Sequence, residues 1–65
     1  MKLTRYKWAI ITKERPTLFL TERSELAENF DEAELLDHEG ADDRIKGLDE
    51  PQKFTKAKVV YSVEV

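Results

Sequence analysis

The sequence predicts an α+β fold: an antiparallel-rich sheet of three to four strands with one main helix packed on one face, in the order β-β-(β)-α-β. Three observations predict it. Alternating aromatic and β-branched residues occupy both ends of the chain, Ala41, Ile45 and Leu48 recur at helical spacing between them, and Pro16, Gly40, Gly47 and Pro51 punctuate the intervals.

Leu3 to Thr12 reads as the first strand, with Tyr6, Trp8 and Ile10 on one face and Arg5, Lys7, Ala9 and Ile11 on the other. Lys13 to Pro16 is polar and ends in a residue with no amide donor, so it reads as the turn into a second strand, Thr17 to Thr21. No Asn-Gly type turn fixes the register of that hairpin. The last strand is the clearest: Ala57, Val59, Tyr61, Val63 and Val65 alternate with Lys58, Val60, Ser62 and Glu64. The helix is therefore expected on the face carrying Trp8, Ile10, Val59, Tyr61 and Val63.

The middle of the chain admits competing readings. In one, Ser24 caps a helix running to Glu39 with Leu26, Phe30 and Ala33 inward and Gly40 as its stop, which leaves Leu35 about 180° from Leu26 and exposed. In the other, Asn29 to Asp31 turns, Ala33 to Leu36 is a short strand, and Asp37 caps a helix carrying Ala41, Ile45 and Leu48 that ends before Pro51. A third keeps that later helix and adds a helical turn at Ser24 to Glu28. The second reading is preferred because it accounts for the Ala41, Ile45, Leu48 spacing, although Gly40 and Gly47 each cost a helix about 1 kcal/mol relative to alanine.

This order, with Ala33-Glu34-Leu35-Leu36 before the helix and Val59-Val60 and Val63-Glu64-Val65 closing the chain, resembles small sheet-plus-helix proteins encoded by phages and prophages. The resemblance rests on apolar patterns over most of the chain. The acidic stretch Glu22 to Glu32 and the Gly47 interruption depart from it. It implies a compact single module of phage origin, at work in the host cytoplasm, and supplies no site residues.

At 65 residues the chain fits one domain, spanning 1–65, that buries about 60% of its unfolded surface. With no cysteine there is no disulfide or thiolate, which suits a reducing, cytoplasmic setting. Its longest apolar run, Trp8 to Ile11, is too short for a signal peptide or a membrane span.

The net charge of −3 hides a separation: residues 1–16 carry +4, residues 17–50 carry −9 and residues 51–65 carry +2. An acidic middle beside a minimal core suggests a non-enzymatic protein-binding module. Glu25, Glu28, Asp31, Glu32, Glu39, Asp42 and Asp43 would be its contact residues, a basic protein its partner, and modulation of a host protein its role. The plainer account is that such charges only solubilise. A nucleic-acid-binding module is the alternative, with Arg5, Lys7, Lys56 and Lys58 on phosphates and Tyr6, Trp8 and Tyr61 nearby, although the aromatics fall on the expected core face. A third expectation is a self-associating structural protein, a homodimer formed through Ala9, Ile11 and Val60.

Catalytic and metal chemistry find no complete set of parts, so neither an enzyme nor a cofactor is expected. His38 and Asp42 at i, i+4 offer two metal ligands where zinc needs three or four. His38-Glu39 lacks the second histidine of a zinc protease, because Asp42 stands in its place. A calcium loop begun at Asp37 would need glycine at Asp42 and glutamate at Leu48. No nucleophile elbow or glycine-rich phosphate loop occurs.

Overall fold

A computed structural model describes residues 1–65. The first strand, β1 (Lys2–Thr12), is followed by two short strands, β2 (Phe19–Leu20) and β3 (Leu26–Ala27), and by a single 3-10 turn at Phe30–Glu32. Helix α1 (His38–Lys46), a second 3-10 turn at Pro51–Lys53 and the last strand, β4 (Phe54–Glu64), complete the chain. All strand pairs are antiparallel and the spatial order is β3-β2-β1-β4. This is the expected α+β arrangement.

The middle of the chain follows the preferred reading in outline. Asp37 caps α1, its Oδ1 accepting from the Gly40 amide at 2.7 Å. Asn29 caps the 3-10 turn by accepting from the Asp31 amide at 3.2 Å. Leu36 meets β1 as an isolated bridge, exchanging both backbone hydrogen bonds with Trp8 at 2.7 and 2.8 Å. Neither the long helix from Ser24 nor a helical turn there forms. Thr21 instead closes a tight turn: its amide donates to Glu25 O at 2.9 Å, its Oγ1 accepts from the Arg23 and Glu25 amides at 3.3 and 3.2 Å, and Ser24 takes the left-handed conformation at φ 63°. That turn feeds Leu26 and Ala27 into the sheet as its third strand, a place the sequence suggested for Ala33 to Leu36.

The register of β1 with β4 corrects the expected core face. Ile10 lies opposite Lys56, Trp8 opposite Lys58 and Tyr6 opposite Val60, while Val59, Tyr61 and Val63 lie opposite Lys7, Arg5 and Leu3. Directly opposed residues share a face. The helix therefore packs on Trp8 and Ile10 together with Phe54 and the lysines, and Val59, Tyr61 and Val63 point to the far side.

The reason is length. A helix of nine residues spans about 14 Å, whereas an 11-residue strand spans about 37 Å, so α1 covers only part of β4. Within that part Phe54 supplies apolar surface and Lys56 lays its stem along the Trp8 ring, with its ammonium 5.1 Å from the ring centre. Ile10, Leu20 and Ala41 form the core, and Trp8, Leu36, Ile45, Leu48 and Phe54 pack around them. Ala9 is also fully buried, on the opposite face across from Ala57.

Beyond the helix the sheet narrows to two strands. From Lys2 to Lys7, β1 is paired with β4 alone, and Tyr6 and Val60 on the helix side are 59% and 62% exposed. This projecting arm makes the molecule 42 Å long but only 23 by 19 Å across.

Candidate protein-binding surface

The acidic residues gather on the flank where the chain makes its excursion between β2 and α1. The turn at Thr21–Glu25 and the 3-10 turn at Phe30–Glu32 form the two sides of an open groove lined by Glu22, Glu25, Asp31 and Glu32, with Arg23 beside them. Phe30 anchors the second turn by packing edge-on against Phe19, centroids 5.5 Å apart. Arg44 locks the flank to the helix: its Nε donates to Glu34 Oε1 at 3.0 Å, and its guanidinium donates to Ser24 Oγ at 2.8 Å and Thr21 O at 3.4 Å. Arg44 and Glu34 are both half-buried, so this one arginine organises the excursion.

Of the seven acidic residues singled out from the sequence, Glu25, Asp31 and Glu32 come together in the groove, and Glu22 joins them. Glu28 is exposed between β3 and the 3-10 turn, and Glu39 and Asp43 are exposed on α1. None of these groups makes an ion pair. Asp42 differs. Its Oδ1 accepts from Lys56 Nζ at 2.8 Å, and that hydrogen bond, with the charges of Lys56, His38 and Lys46, holds its carboxyl below the ordinary value of 3.8 against a weaker opposing effect of desolvation.

His38 and Asp42 do share a face, with Nε2 3.8 Å from Oδ2, but the Lys56 ammonium lies against both, 2.9 Å from His38 Nδ1. The His38 ring stands edge-on to Trp8 at 5.3 Å. A lysine so placed supplies the positive charge that a metal would bring. No group of three or more histidine, aspartate or glutamate side chains is arranged around a common point. The Trp8 indole N–H, buried beside this cluster, has no partner in the chain.

The four basic candidates fall on two faces. Arg5 and Lys7 lie on the face away from the helix, whereas Lys56 and Lys58 lie on the helix side, Lys56 paired to Asp42 and Lys58 over the Tyr6 ring at 4.4 Å. Tyr6 and Trp8 likewise share the helix side, and Tyr61 lies across the sheet from them. The apolar patch divides as well: Ala9 is buried and Ile11 half-buried on one face, while Val60 is exposed on the other.

The role of Arg44 was not read from the sequence. Its signal there is scarcity, since Arg23, Arg44 and Lys46 are the only bases among residues 17–50. No helix is long and apolar enough to cross a membrane. Compared with known proteins, the chain matches no family model, no curated sequence and no solved structure.

Proposed function

We propose that the protein is a non-enzymatic protein-binding module that receives a basic partner on its acidic flank. The observation that carries this reading is the groove of Glu22, Glu25, Asp31 and Glu32, whose carboxylates are unpaired while Arg44 ties its Thr21–Glu25 side to Glu34. Carboxylates held on a fixed frame present their charge without a large ordering cost on binding. Four carboxylates with no ion pair give this flank a negative local potential that draws an approaching cation to it. The likeness to phage-encoded sheet-plus-helix proteins adds a host protein as the partner class and the host cytoplasm as the setting.

The experiment is capture from a bacterial lysate by the tagged protein, with and without nuclease, over a salt series, beside a variant carrying Glu25→Lys, Asp31→Lys and Glu32→Lys. A discrete protein that survives nuclease and is absent from the variant's eluate supports the reading. Recovery of nucleic acid alone, or a protein retained equally by the variant, refutes it.

A further inference from the structure

The chain exposes more surface than a monomer of its mass should. Its accessible area is 4996 Å², against about 4,300 Å² expected for a folded 7.6 kDa monomer. The excess of about 700 Å² is close to the 800 Å² that each partner contributes to a standard protein interface. The arm carries the exposed apolar part of that surface. Val60, Tyr61, Val63 and Val65 are all exposed there, on a two-stranded ribbon that is marginally stable by itself.

The arm also offers unpaired backbone. Met1 and Val65 exchange both of their backbone hydrogen bonds, at 2.8 and 3.0 Å, and Lys13 N donates to Lys53 O at 2.9 Å. Antiparallel pairing alternates, so the odd-numbered residues of β4 bond β1 and the even-numbered ones, Lys58 to Glu64 among them, turn N–H and C=O to the open edge. Natural edges of this length are usually guarded by charge or proline. Here Glu64 is the one charged residue between Val59 and Val65. The arm's other edge, on β1, has Lys2, Arg5 and Lys7 along it, and a second copy of that edge would repel it.

We infer that two copies of the chain pair through β4, antiparallel about a two-fold axis at Tyr61, to form one continuous eight-stranded sheet. Three constraints select the axis. The open amides lie on even-numbered residues, so the pairing must set even against even, which places the two-fold at a residue rather than between two. The second constraint is charge. Centred on Tyr61, Glu64 faces the partner's Lys58, and the reverse pair forms by symmetry; Lys58 makes no ion pair and lies over the Tyr6 ring, and Glu64 meets only the exposed N-terminal ammonium of Met1, 3.9 Å away. Centred on Val60, Glu64 would face the partner's Lys56, which Asp42 already holds. Centred on Ser62 or Val59, it would face only Val60 or Phe54. The third constraint is apolar: about Tyr61, the non-hydrogen-bonded positions, where side chains approach most closely, become Tyr61 against Tyr61 and Val63 against Val59, and they extend one stripe across both copies.

The test is sedimentation equilibrium over a concentration series, with four proteins: the native chain, Lys58→Glu, Glu64→Lys and the double charge swap. The native chain is expected at twice its 7.6 kDa mass. Each single swap sets like charges opposite one another twice and should weaken the dimer about tenfold, and the double swap should restore it. Far-ultraviolet circular dichroism confirms that each variant is folded. A native chain that stays monomeric to millimolar concentration overturns the inference; so does a dimer indifferent to both single swaps, or one the double swap fails to rescue. The inference is independent of the acidic flank, because none of the exchanged residues lies on it.

Discussion

Gly40 occupies the third position of α1, where its amide donates to the Asp37 cap. A Cβ built there would stand 2.7 Å from Asp37 Oδ1, closer than any real contact, so Gly40→Ala must displace the capping carboxylate. Two effects of opposite sign then meet. Alanine favours the helix by about 1 kcal/mol over glycine, and loss of an aspartate cap costs about 1 kcal/mol. The single substitution is expected to leave stability nearly unchanged. In an Asp37→Ala background, already weakened by about 1 kcal/mol, no cap remains to displace, and Gly40→Ala should recover about 1 kcal/mol. The coupling is thus about 1 kcal/mol, above the error of a double-mutant cycle. Urea denaturation followed by Trp8 emission reads it: at a slope near 1 kcal/mol/M, the recovery shifts the midpoint by about 1 M in the Asp37→Ala background only. An equal gain in both backgrounds refutes the steric argument, because the carboxylate would then have kept its hydrogen bond beside a methyl group.

Arg44→Met should cost about 1–2 kcal/mol, since it leaves a half-buried Glu34 carboxylate without its partner, and should raise hydrogen exchange at the Glu34 amide that bonds Leu20 O; unchanged exchange there would show that Arg44 does not hold the flank. Leu20→Ala, at a fully buried site, should cost about 2–4 kcal/mol and leave little of a small domain's stability, whereas Tyr6→Ser on the arm should be nearly neutral in the monomer, both read by thermal melting. The Asp42 carboxyl titrates below its unfolded value in the folded state, so its contribution is present above the unfolded value of 3.8 and is lost as pH falls through the folded one. Lys56→Met should move the Asp42 carboxyl titration upward, as followed by carbon NMR, and flatten that part of the acid limb; an unmoved titration would refute the assignment to Lys56.

Local signals in the sequence translated well into local structure. Asp37 before a run of helical spacing, the polar turn ending at Pro16 and the alternation of the last strand each depend on a few neighbouring residues, and each element forms at those residues, although α1 stops at Lys46 and leaves Leu48 beyond its Gly47 cap. β3 is not legible in the sequence because two residues carry no periodicity, and because Ser24 adopts a left-handed conformation that no propensity favours for serine. The core face of β4 is not legible in the sequence for a different reason. Either side of an alternating strand can face a helix, and the choice depends on register with β1, which is a tertiary property. Val59, Tyr61 and Val63 formed the more apolar stripe, yet a short helix needs only Phe54 and the stem of Lys56 from this strand. The acidic groove was legible as charge, but its gathering of Glu22 with Glu25, Asp31 and Glu32 depends on Arg44, some twenty residues further along the chain.

The sheet order joins the two proposals. β3 and β4 are the outer strands of each copy, so a dimer joined through β4 sets its two β3 edges, and the acidic flanks that grow from them, at opposite ends of the eight-stranded sheet. At about 4.8 Å per strand those edges are roughly 34 Å apart, and pairing about an axis normal to the sheet leaves both helices on one face. A dimer of this shape grips an array of basic sites at two points, whereas a monomer grips one. Tyr61→Lys, which sets two ammonium groups beside the two-fold axis, should therefore leave the affinity for a single basic peptide in solution unchanged. On a surface densely coated with that peptide, the native dimer should dissociate about a hundredfold more slowly than the variant. Equal dissociation rates from such a surface, with the dimer shown to be intact, would mean that the two flanks do not face partners together, and would separate the acidic-flank reading from the sheet geometry that links it to β4.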